Sequence, residues 1–185
     1  MKRIGICNNK GGVGKTTICF CLGGALAEMG KKILLVDMDQ QGSLSSSFLP
    51  DIHNLPIVIT DTLLDDQKSI KGTIMKTEFE NIDIAPANLS LGRIEDELLS
   101  ERDSHYYLAD KLEEIQEEYD IILVDAPPNL GLATWSVLTA SEGAIIPLEA
   151  QDYSVKGTGC VHGVIEKVRK RANPNLTILG YIINR

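Results

Sequence analysis

A glycine-rich turn between an apolar strand and a helix is the feature that most constrains how this 185-residue chain can fold. The turn contains Gly11, Gly12 and Gly14, and helix-spaced apolar residues follow it over residues 16–29. Glycine has no Cβ, so the backbone N–H groups of such a turn can converge on an anion, and the helix N-terminus adds partial positive charge. The turn therefore predicts a phosphate-binding loop.

The residues after the glycines make this prediction more specific. Lys15 is expected to reach the β- and γ-phosphates of a nucleoside triphosphate, and the Thr16 hydroxyl is expected to ligate Mg²⁺. The strict phosphate-loop pattern has a glycine five residues before Gly14, where this chain has Asn9. The order of strand, loop and helix still favours nucleoside triphosphate binding over a turn that merely connects two elements.

Apolar runs and helical patterns alternate along the rest of the chain. Strands are predicted at residues 3–8, 32–37, 81–85, 121–124, 143–147 and 176–183. Helices are predicted at residues 16–29, 89–99, 106–118, 134–140 and 156–171, and a short one near 61–66 in the poorly defined segment 51–76. Such alternation indicates an α/β fold with a mostly parallel, twisted sheet and helices on both faces.

Apolar spacing within the helices predicts which side chains face the core. On the first helix the predicted residues are Ile18, Leu22, Ala25 and Met29. On the two acidic helices in the middle of the chain they are Ile94, Leu98, Leu108, Leu112 and Ile115.

Acidic residues stand at the ends of two strands that would flank the phosphate loop. Asp37 and Asp39 follow the second apolar strand, and Asp125 ends the strand at 121–124. Ligands of parallel sheets bind beyond the carboxyl ends of the strands, where these acids would meet the nucleotide. One acid can hold Mg²⁺ through its water shell, and another can orient an attacking water.

Composition excludes several other classes of protein. Apolar residues make up 43% and charged residues 24% of the chain, as in ordinary globular proteins. No apolar run approaches the roughly 20 residues that a membrane helix needs, and no secretory leader precedes the first strand, so a cytoplasmic protein is expected. The net charge of −8 argues against a nucleic-acid coat but does not exclude a local basic patch.

The densest basic stretch, residues 167–171, is expected near a helix C-terminus, where positive charge is favourable in any case. The cysteines and histidines lack metal-ligand spacing, so the cysteines are predicted to be buried free thiols and the histidines to be ordinary surface or partly buried residues. The cysteines are Cys7, Cys19, Cys21 and Cys160, and the histidines are His53, His105 and His162.

Three segments resemble motifs of one family of dimeric ATPases. The segment Lys-Gly-Gly-Val-Gly-Lys-Thr-Thr at 10–17, with a lysine at its start, resembles the deviant Walker A box of the ParA/MinD family. The segment 34–43, with its Gln-Gly-Ser continuation, favours the ParA (Soj-like) branch, and Asp-Ala-Pro-Pro-Asn-Leu-Gly at 125–131 is similar to the ParA form of the Walker B region. A further likeness lies at 180–185.

The resemblance implies a role for each matched position. Lys10 would cross a face-to-face dimer to the partner's nucleotide, and Asp39 would position the hydrolytic water, so Lys10, Lys15 and Asp39 are the implied catalytic residues. Asp37 would support the Mg²⁺ shell or a switch, and Asp125 would hold a Mg²⁺-bound water, with 127–131 as the second switch. The implied nucleotide-binding residues are Lys10, Gly11, Gly12, Val13, Gly14, Lys15, Thr16, Thr17 and, at the adenine edge, Asn184. Strand-end turn chemistry alone also explains an asparagine at 184.

The resemblance also implies an activity and its partners. A ParA-type partitioning ATPase would use ATP and Mg²⁺, form an ATP-dependent homodimer, bind DNA nonspecifically and release it when a ParB-like protein stimulates slow hydrolysis. The alternatives are a MinD-like positioning ATPase that acts on a membrane or protein cargo, and a truncated nucleotide-binding module that does not hydrolyse ATP. Cysteines that would hold an iron–sulfur cluster, or the cysteine pair of the arsenite branch, are not found.

Residues 1–185 are expected to form a single domain. ParA-type chains usually continue for several tens of residues beyond the strand that ends near 183, so this chain is expected to lack the family's final strand and helices. Those elements carry much of the family's DNA-binding surface, which places the expected DNA contacts largely in residues absent here. Nucleoid association is expected only where a full-length parent binds DNA.

Overall fold

One sheet organises the part of the chain that this computed structural model describes, residues 2–150 and 155–184. Its strands are β1 (Arg3–Ile6), β2 (Ile33–Asp37), β3 (Met75–Lys76), β4 (Ile82–Ala85), β5 (Ile121–Asp125), β6 (Gly143–Leu148) and β7 (Thr177–Ile183). The strand order is β3-β4-β2-β5-β1-β6-β7, and all neighbouring pairs are parallel except the antiparallel pair β3 and β4. The predicted α/β fold with a mostly parallel sheet is confirmed. Arg185, the last residue of the motif at 180–185, lies outside the described residues.

Helices connect the strands and cover both faces of the sheet. The α-helices are α1 (Lys15–Glu28), α2 (Ser43–Ser46), α3 (Ile59–Leu63), α4 (Arg93–Leu98), α5 (Tyr107–Glu113), α6 (Leu132–Ala140) and α7 (Val155–Arg171). Short 3₁₀ helices lie at Ile52–Asn54, Ile70–Thr73, Leu89–Gly92 and Ser104–Tyr106.

Alternate residues of the central strands β2 and β5 serve two hydrophobic cores on opposite faces of the sheet. One core contains Leu34 and Val36 of β2 together with residues of α3 to α7. The other contains Ile33 and Leu35 of β2, packed against α1. Both strands are apolar up to the aspartate that ends each of them, and this is stable here because helices exclude water from both faces. The predicted core residues of the acidic helices are confirmed as buried: Ile94, Leu98, Leu108, Leu112 and Ile115.

The buried face of α1 differs from the predicted one. Its buried residues include Cys19, Gly23 and Ala27, whereas Met29 is 73% exposed and Ala25 is also exposed. A Cβ on Gly23 would lie 2.9 Å from Cδ2 of Leu35, so the small side chains of this face allow α1 to pack very close to β2. The larger residues flank the contact, and the prediction from apolar spacing alone was wrong on Ala25 and Met29.

The two acidic helices are shorter than predicted. Each begins with a 3₁₀ turn, and α5 ends at Glu113 instead of continuing to residue 118. The residues that would have extended α5 include Glu114, Glu117 and Glu118. Negative charge is unfavourable at a helix C-terminus because the last carbonyl groups already carry partial negative charge. These charges explain the early end of the helix.

Two of the four cysteines are not buried, contrary to the prediction. Cys7 and Cys19 lie in the core, whereas Cys21 and Cys160 are exposed on α1 and α7. Cys21 occupies the side of α1 that does not face the sheet, two residues from Cys19, because residues two apart point in nearly opposite directions on a helix. In residues 2–150 and 155–184 no helix is long and apolar enough to cross a membrane.

Candidate nucleotide-binding site

The predicted phosphate loop lies between the end of β1 and the start of α1. Gly12 and Gly14 have φ values of 79° and 90°, in the left-handed region that strongly favours glycine. A Cβ on Gly14 would also collide with the side-chain amide of Asn184. Val13 is fully buried between these glycines and fixes the loop to the core. Gly11 and Thr17 are exposed at the loop surface, and a Cβ on Gly11 would meet nothing within 4 Å.

Lys15 is the first residue of α1 and is 7% exposed. Its Nζ donates a hydrogen bond to the backbone carbonyl of Lys10, 3.1 Å away across the loop. Burial lowers the pKa of Lys15 from its ordinary value, and the carboxylates of Asp125 and Asp39 oppose part of this shift. The amine is therefore held at the centre of the loop, with two acids near it.

Thr16 and Asp125 are in direct contact at the N-terminus of α1. The Thr16 hydroxyl donates to Oδ2 of Asp125 over 2.6 Å, while Oδ1 of Asp125 is buried without a hydrogen-bond partner among the described residues. Burial, followed by repulsion from Asp37, raises the pKa of Asp125 to about 8. A buried carboxylate oxygen that lacks a donor, beside a hydroxyl, fits a hydrated Mg²⁺ ion, since this ion prefers oxygen ligands and retains several waters.

Asp37 ends β2 beside Asp125 and is fully buried, with Asp37 and Asp125 paired in the sheet register. Its Oδ1 accepts a hydrogen bond from the Asp39 N–H at 3.0 Å. Its Oδ2 accepts from both the N–H and the hydroxyl of Ser45, at 2.9 and 2.7 Å, and the Ser45 hydroxyl accepts from the Ala87 N–H. Burial raises the pKa of Asp37 to about 6, although these hydrogen bonds oppose the shift. Asp37 thus organises the loop after β2 with both of its oxygens.

Asp39 lies in the loop that Asp37 organises, and it is partly exposed. Its Oδ1 accepts from the Gln41 N–H at 3.0 Å, while Oδ2 makes no hydrogen bond with a described residue. Its charge is close enough to influence the pKa values of both Lys15 and Asp125. The structure therefore brings Asp39 to the phosphate loop with one oxygen available.

Lys10 opens the loop and pairs with a residue that the sequence did not single out. Its Nζ lies 2.6 Å from Oε2 of Glu149, which follows the end of β6. The Lys10 N–H donates to Oδ1 of Asn8, and Asn8 is anchored by a 2.6 Å hydrogen bond from its Nδ2 to the Pro147 carbonyl. The end of β6 therefore positions both Asn8 and the first lysine of the loop.

Asn184 follows β7, the strand next to β6, and contacts the loop at the carboxyl end of the sheet. Its backbone N–H donates to the Leu148 carbonyl at 2.7 Å, and its Nδ2 donates to the Val13 carbonyl at 3.1 Å. The structure thus places Asn184 beside the phosphate loop, and its contact with the adenine edge stays a prediction. Its contact with the loop backbone was not anticipated.

The loop after β2 and the predicted second switch at 127–131 approach each other across a cavity of about 200 Å³. Gln40 lies on the loop after β2, and Pro127 and Asn129 lie on the second switch. Asn129 holds the second segment through bonds from the Gly131 N–H and the Thr134 hydroxyl, at 3.0 and 2.6 Å. Both segments follow the strands that end in Asp37 and Asp125, so these exposed loops adjoin the phosphate-loop region.

Sequence reasoning missed three residues of this site: Asn8, Ser45 and Glu149. A polar residue at the end of a parallel strand was the available signal for Asn8 and Glu149, which follow β1 and β6. Ser45 gave no signal, because it stands in a serine-rich segment with several similar neighbours. Among the described residues no cluster of three or more His, Cys, Asp or Glu side chains could hold a metal ion by itself.

A strand, a glycine turn and a helix that hold a buried lysine and a threonine beside a strand-end aspartate define a phosphate-loop nucleoside-triphosphate-binding protein. A family model described as an AAA domain, AAA_31, matches residues 1–178. The chain therefore belongs to this family, within the ParA/MinD group that its motifs resemble.

Curated relatives agree with this assignment. The sporulation initiation inhibitor protein Soj of Bacillus subtilis is 38% identical over 182 residues, which cover 98% of this chain and 72% of Soj. An uncharacterized protein of Mycobacterium tuberculosis strain H37Rv is 39% identical over 184 residues, or 100% of this chain. The chain spans only 58% of the length of that relative.

A solved structure has the same fold with a nucleotide bound. It is described as cobyrinic acid a,c-diamide synthase from Mycobacterium smegmatis with bound ADP and magnesium. The TM-score is 0.92 at 35% identity, with 98% of this chain and 74% of that chain covered. The sheet and helices described above are therefore those of a known nucleotide-binding fold.

Proposed function

We propose that this chain is the nucleotide-binding domain of a ParA-type partitioning ATPase that hydrolyses ATP with Mg²⁺. The observation that carries the proposal is the convergence of Lys15, Thr16, Asp39 and Asp125 at one edge of the sheet, with Oδ1 of Asp125 buried and unpartnered among the described residues. The 38% identity with Soj and the 36% identity with the chromosome partitioning protein ParA of Myxococcus xanthus support it.

Each residue of the site has a different role in phosphoryl transfer. Backbone N–H groups of 11–17 and the Lys15 ammonium bind the phosphates and stabilise negative charge that develops during transfer. Thr16 and Asp125 would hold Mg²⁺, which supplies further charge neutralisation when bound. Asp39 orients the attacking water with its available oxygen, and Asp37 holds the Asp39 loop in place.

Lys10 supplies the coupling to self-association in this proposal. In the single chain it forms an ion pair with Glu149 at 2.6 Å, at a side-chain exposure of 45%. An exposed ion pair contributes little free energy, so the lysine can exchange Glu149 for a more negative triphosphate on a second copy. An ATP-dependent homodimer would follow, with Lys10 acting in trans much as an arginine finger does.

The partners proposed for the whole protein are nonspecific DNA and a ParB-like protein that stimulates hydrolysis. The basic run at the end of α7 contains Arg169, Lys170 and Arg171. Arg169 forms an ion pair with Glu166 and donates a hydrogen bond to the Leu176 carbonyl. These contacts support a local structural role for part of this run. We therefore assign DNA binding to the intact protein, acting in the cytoplasm at the nucleoid, rather than to this run alone.

A MinD-like positioning ATPase is the second candidate. A structure of the septum site-determining protein MinD of Pyrococcus horikoshii with Mg-ADP supports it, with 32% identity, a TM-score of 0.80 and coverage of 100% of this chain and 71% of that chain. The two candidates share the nucleotide site and differ in cargo.

Phosphate release from Mg-ATP, measured with the intact protein to which DNA binding is assigned, tests the proposal. We expect slow turnover that double-stranded DNA and a ParB-like protein accelerate, and no turnover in a Lys15→Ala control. Acceleration by anionic vesicles instead of DNA would favour the MinD-like candidate. Tight ATP binding without turnover under every condition would contradict the ATPase and favour a nucleotide-binding module.

A further inference from the structure

A second concave region lies on α1, away from the phosphate loop at the helix N-terminus. This cavity of about 710 Å³ runs between α1 and the segment that enters β4, and we call it the α1 groove. Its walls come from residues 20–30 of α1 and its C-terminal turn, from Phe48, and from residues 79–82. Residues 20–30 span about 15 Å at the rise of an α-helix, or three turns.

The walls of the α1 groove are apolar and aromatic. Phe20, Phe48 and Phe79 are the three phenylalanines of the chain, and all three line it. Their ring centroids lie 5.0 to 6.3 Å apart, within the range of favourable aromatic pairs. Phe79 is 44% exposed although it belongs to this cluster. The aromatic cluster therefore presents apolar surface to solvent instead of closing into the core.

The α1 side of the groove carries small residues. Gly24 and Ala25 line it, and a Cβ on Gly24 would meet no atom within 4 Å. Cys21, which is exposed, lines the groove one helical turn earlier. Small side chains of α1 beside large aromatic side chains leave room for side chains inserted from outside.

The groove carries negative charge, which favours a positively charged partner. Among its described lining residues the charged ones are Glu28 and Glu80, and neither forms an ion pair with a described residue. Two carboxylates beside an apolar surface complement an amphipathic segment that carries lysine or arginine. A second copy placed groove to groove would bring the carboxylates of two chains together, and each chain has a net charge of −8.

We propose that the α1 groove is a docking site for a basic amphipathic helix of a partner protein. Apolar side chains one turn apart on that helix pack against Phe20, Phe48 and Phe79, and its basic side chains pair with Glu28 and Glu80. This site is separate from the nucleotide pocket, so it does not depend on ATP hydrolysis.

A model peptide tests the proposal with the full chain and without nucleotide. The probe is a fluorescein-labelled helical peptide of leucine and lysine, about 18 residues or five turns long. We expect it to bind the wild type, and we expect Phe79→Ala and the double variant Glu28→Gln/Glu80→Gln each to weaken binding at least about fivefold. A matched peptide with glutamate in place of lysine should not bind, because like charges would meet across the groove.

Controls separate this site from general attraction to an acidic protein. Leu89→Ala removes another exposed apolar side chain, and Asp110→Asn/Glu113→Gln removes two exposed charges of α5; all three positions lie outside the groove. These variants should bind the peptide as the wild type does. Bound peptide should also slow alkylation of Cys21 but not of Cys160, since both thiols are exposed and only Cys21 lines the groove.

Three results would overturn the proposal. The first is no binding of the peptide up to about 1 mM. The second is equal weakening by the groove and control variants. The third is a nucleotide-independent self-association that Phe79→Ala abolishes, which would assign the groove to a second copy of the chain.

Discussion

At the scale of single residues, the nucleotide site combines buried charges that are only partly compensated. Lys15, Asp37 and Asp125 are each less than 10% exposed. The pKa of Lys15 is lowered and those of both aspartates are raised, with burial as the main cause in each case. Shifted pKa values of this kind are typical of catalytic sites, where a bound ligand supplies the charges that compensate the buried groups.

The two lysines of the loop are expected to respond differently to mutation. Lys15→Ala should weaken nucleotide binding by about 10- to 150-fold, since it removes a buried charge-assisted phosphate contact of about 1.5–3 kcal/mol. Lys10→Ala should leave ADP affinity nearly unchanged but weaken ATP-dependent dimerisation and turnover. Calorimetric titration with ADP and a slowly hydrolysed ATP analogue measures both effects. Equal loss of affinity in the two variants would refute a role of Lys10 in trans.

Asp125 makes the stability of the ligand-free protein depend on pH. Its pKa is about 8 in the folded state and about 3.9 in an unfolded chain. Between these values the folded state retains a proton that the unfolded state releases, so stability decreases as the pH rises. Asp125→Asn removes this charge and should raise the free energy of unfolding at pH 8 by about 1–3 kcal/mol.

Urea unfolding without nucleotide or Mg²⁺ measures this effect. At pH 5, where the Asp125 carboxyl is already neutral in the fold, the variant and the wild type should differ much less. An equal difference at both pH values would show that burial of a charge at Asp125 is not its cause.

At the scale of elements, hydrogen bonds between distant segments hold the loop after β2. Ser45 of α2 joins Asp37 of β2 to the Ala87 N–H beyond β4. Gly42 precedes α2 with a φ of 61°, and a Cβ there would lie 2.9 Å from the Ala87 carbonyl oxygen. The loop that carries Asp39 is therefore attached to two strands at once.

Loss of the Ser45 hydroxyl should release this loop. Ser45→Ala removes a bond to Asp37 and leaves the buried Ala87 N–H without its acceptor, at a cost of about 1–3 kcal/mol. We expect ATP turnover to fall more than ADP affinity, because Asp39 loses its position while the phosphate loop stays intact. The exposed Ser47→Ala is the matched control and should change neither. A parallel loss of affinity and turnover would instead indicate general unfolding.

Close packing of α1 on β2 makes two adjacent glycines inequivalent. Gly23→Val would force a side chain into the space of Leu35 and should destabilise the fold by about 1–3 kcal/mol. Gly24→Val enters open space and should be nearly neutral, since valine has a slightly better helix propensity than glycine. Thermal unfolding of both variants checks this. Similar destabilisation by both would contradict the direct contact of α1 with β2.

At the scale of the whole molecule, the sheet brings together residues from both ends of the chain. The residues of the proposed magnesium site and of the phosphate loop lie at the ends of its central strands β2, β5 and β1, and Glu149 and Asn184 follow β6 and β7. All of these lie on the carboxyl side of the parallel strands. A dimer built across this edge would enclose the nucleotide between two copies.

The molar mass in solution tests this arrangement. With ADP we expect about 20 kDa, the mass of one 20.2 kDa chain, and with a slowly hydrolysed ATP analogue and Mg²⁺ we expect twice that mass. Light scattering coupled to size exclusion measures it, with Lys10→Ala as the variant that should remain monomeric. A monomer with both nucleotides would contradict dimerisation by this chain alone, while leaving the nucleotide site itself untouched.

The local patterns of the sequence were sufficient to locate the phosphate loop, the strand-end acids and six of the seven described strands, but they predicted neither β3 nor α2. Glycine spacing, apolar runs and the residues next to them depend on neighbours in the chain, so they can be recognised without a fold. The end of α5 could have been anticipated from its clustered glutamates.

Only the tertiary structure decided which distant residues complete the site. Asn184 reaches Val13 across 171 positions of the chain, and Glu149 reaches Lys10 across 139. It also decided that Cys19, Gly23 and Ala27 form the buried face of α1, and that three phenylalanines meet in one groove. Such contacts depend on strand order, register and the distance between packed elements, and no local pattern of residues encodes these quantities.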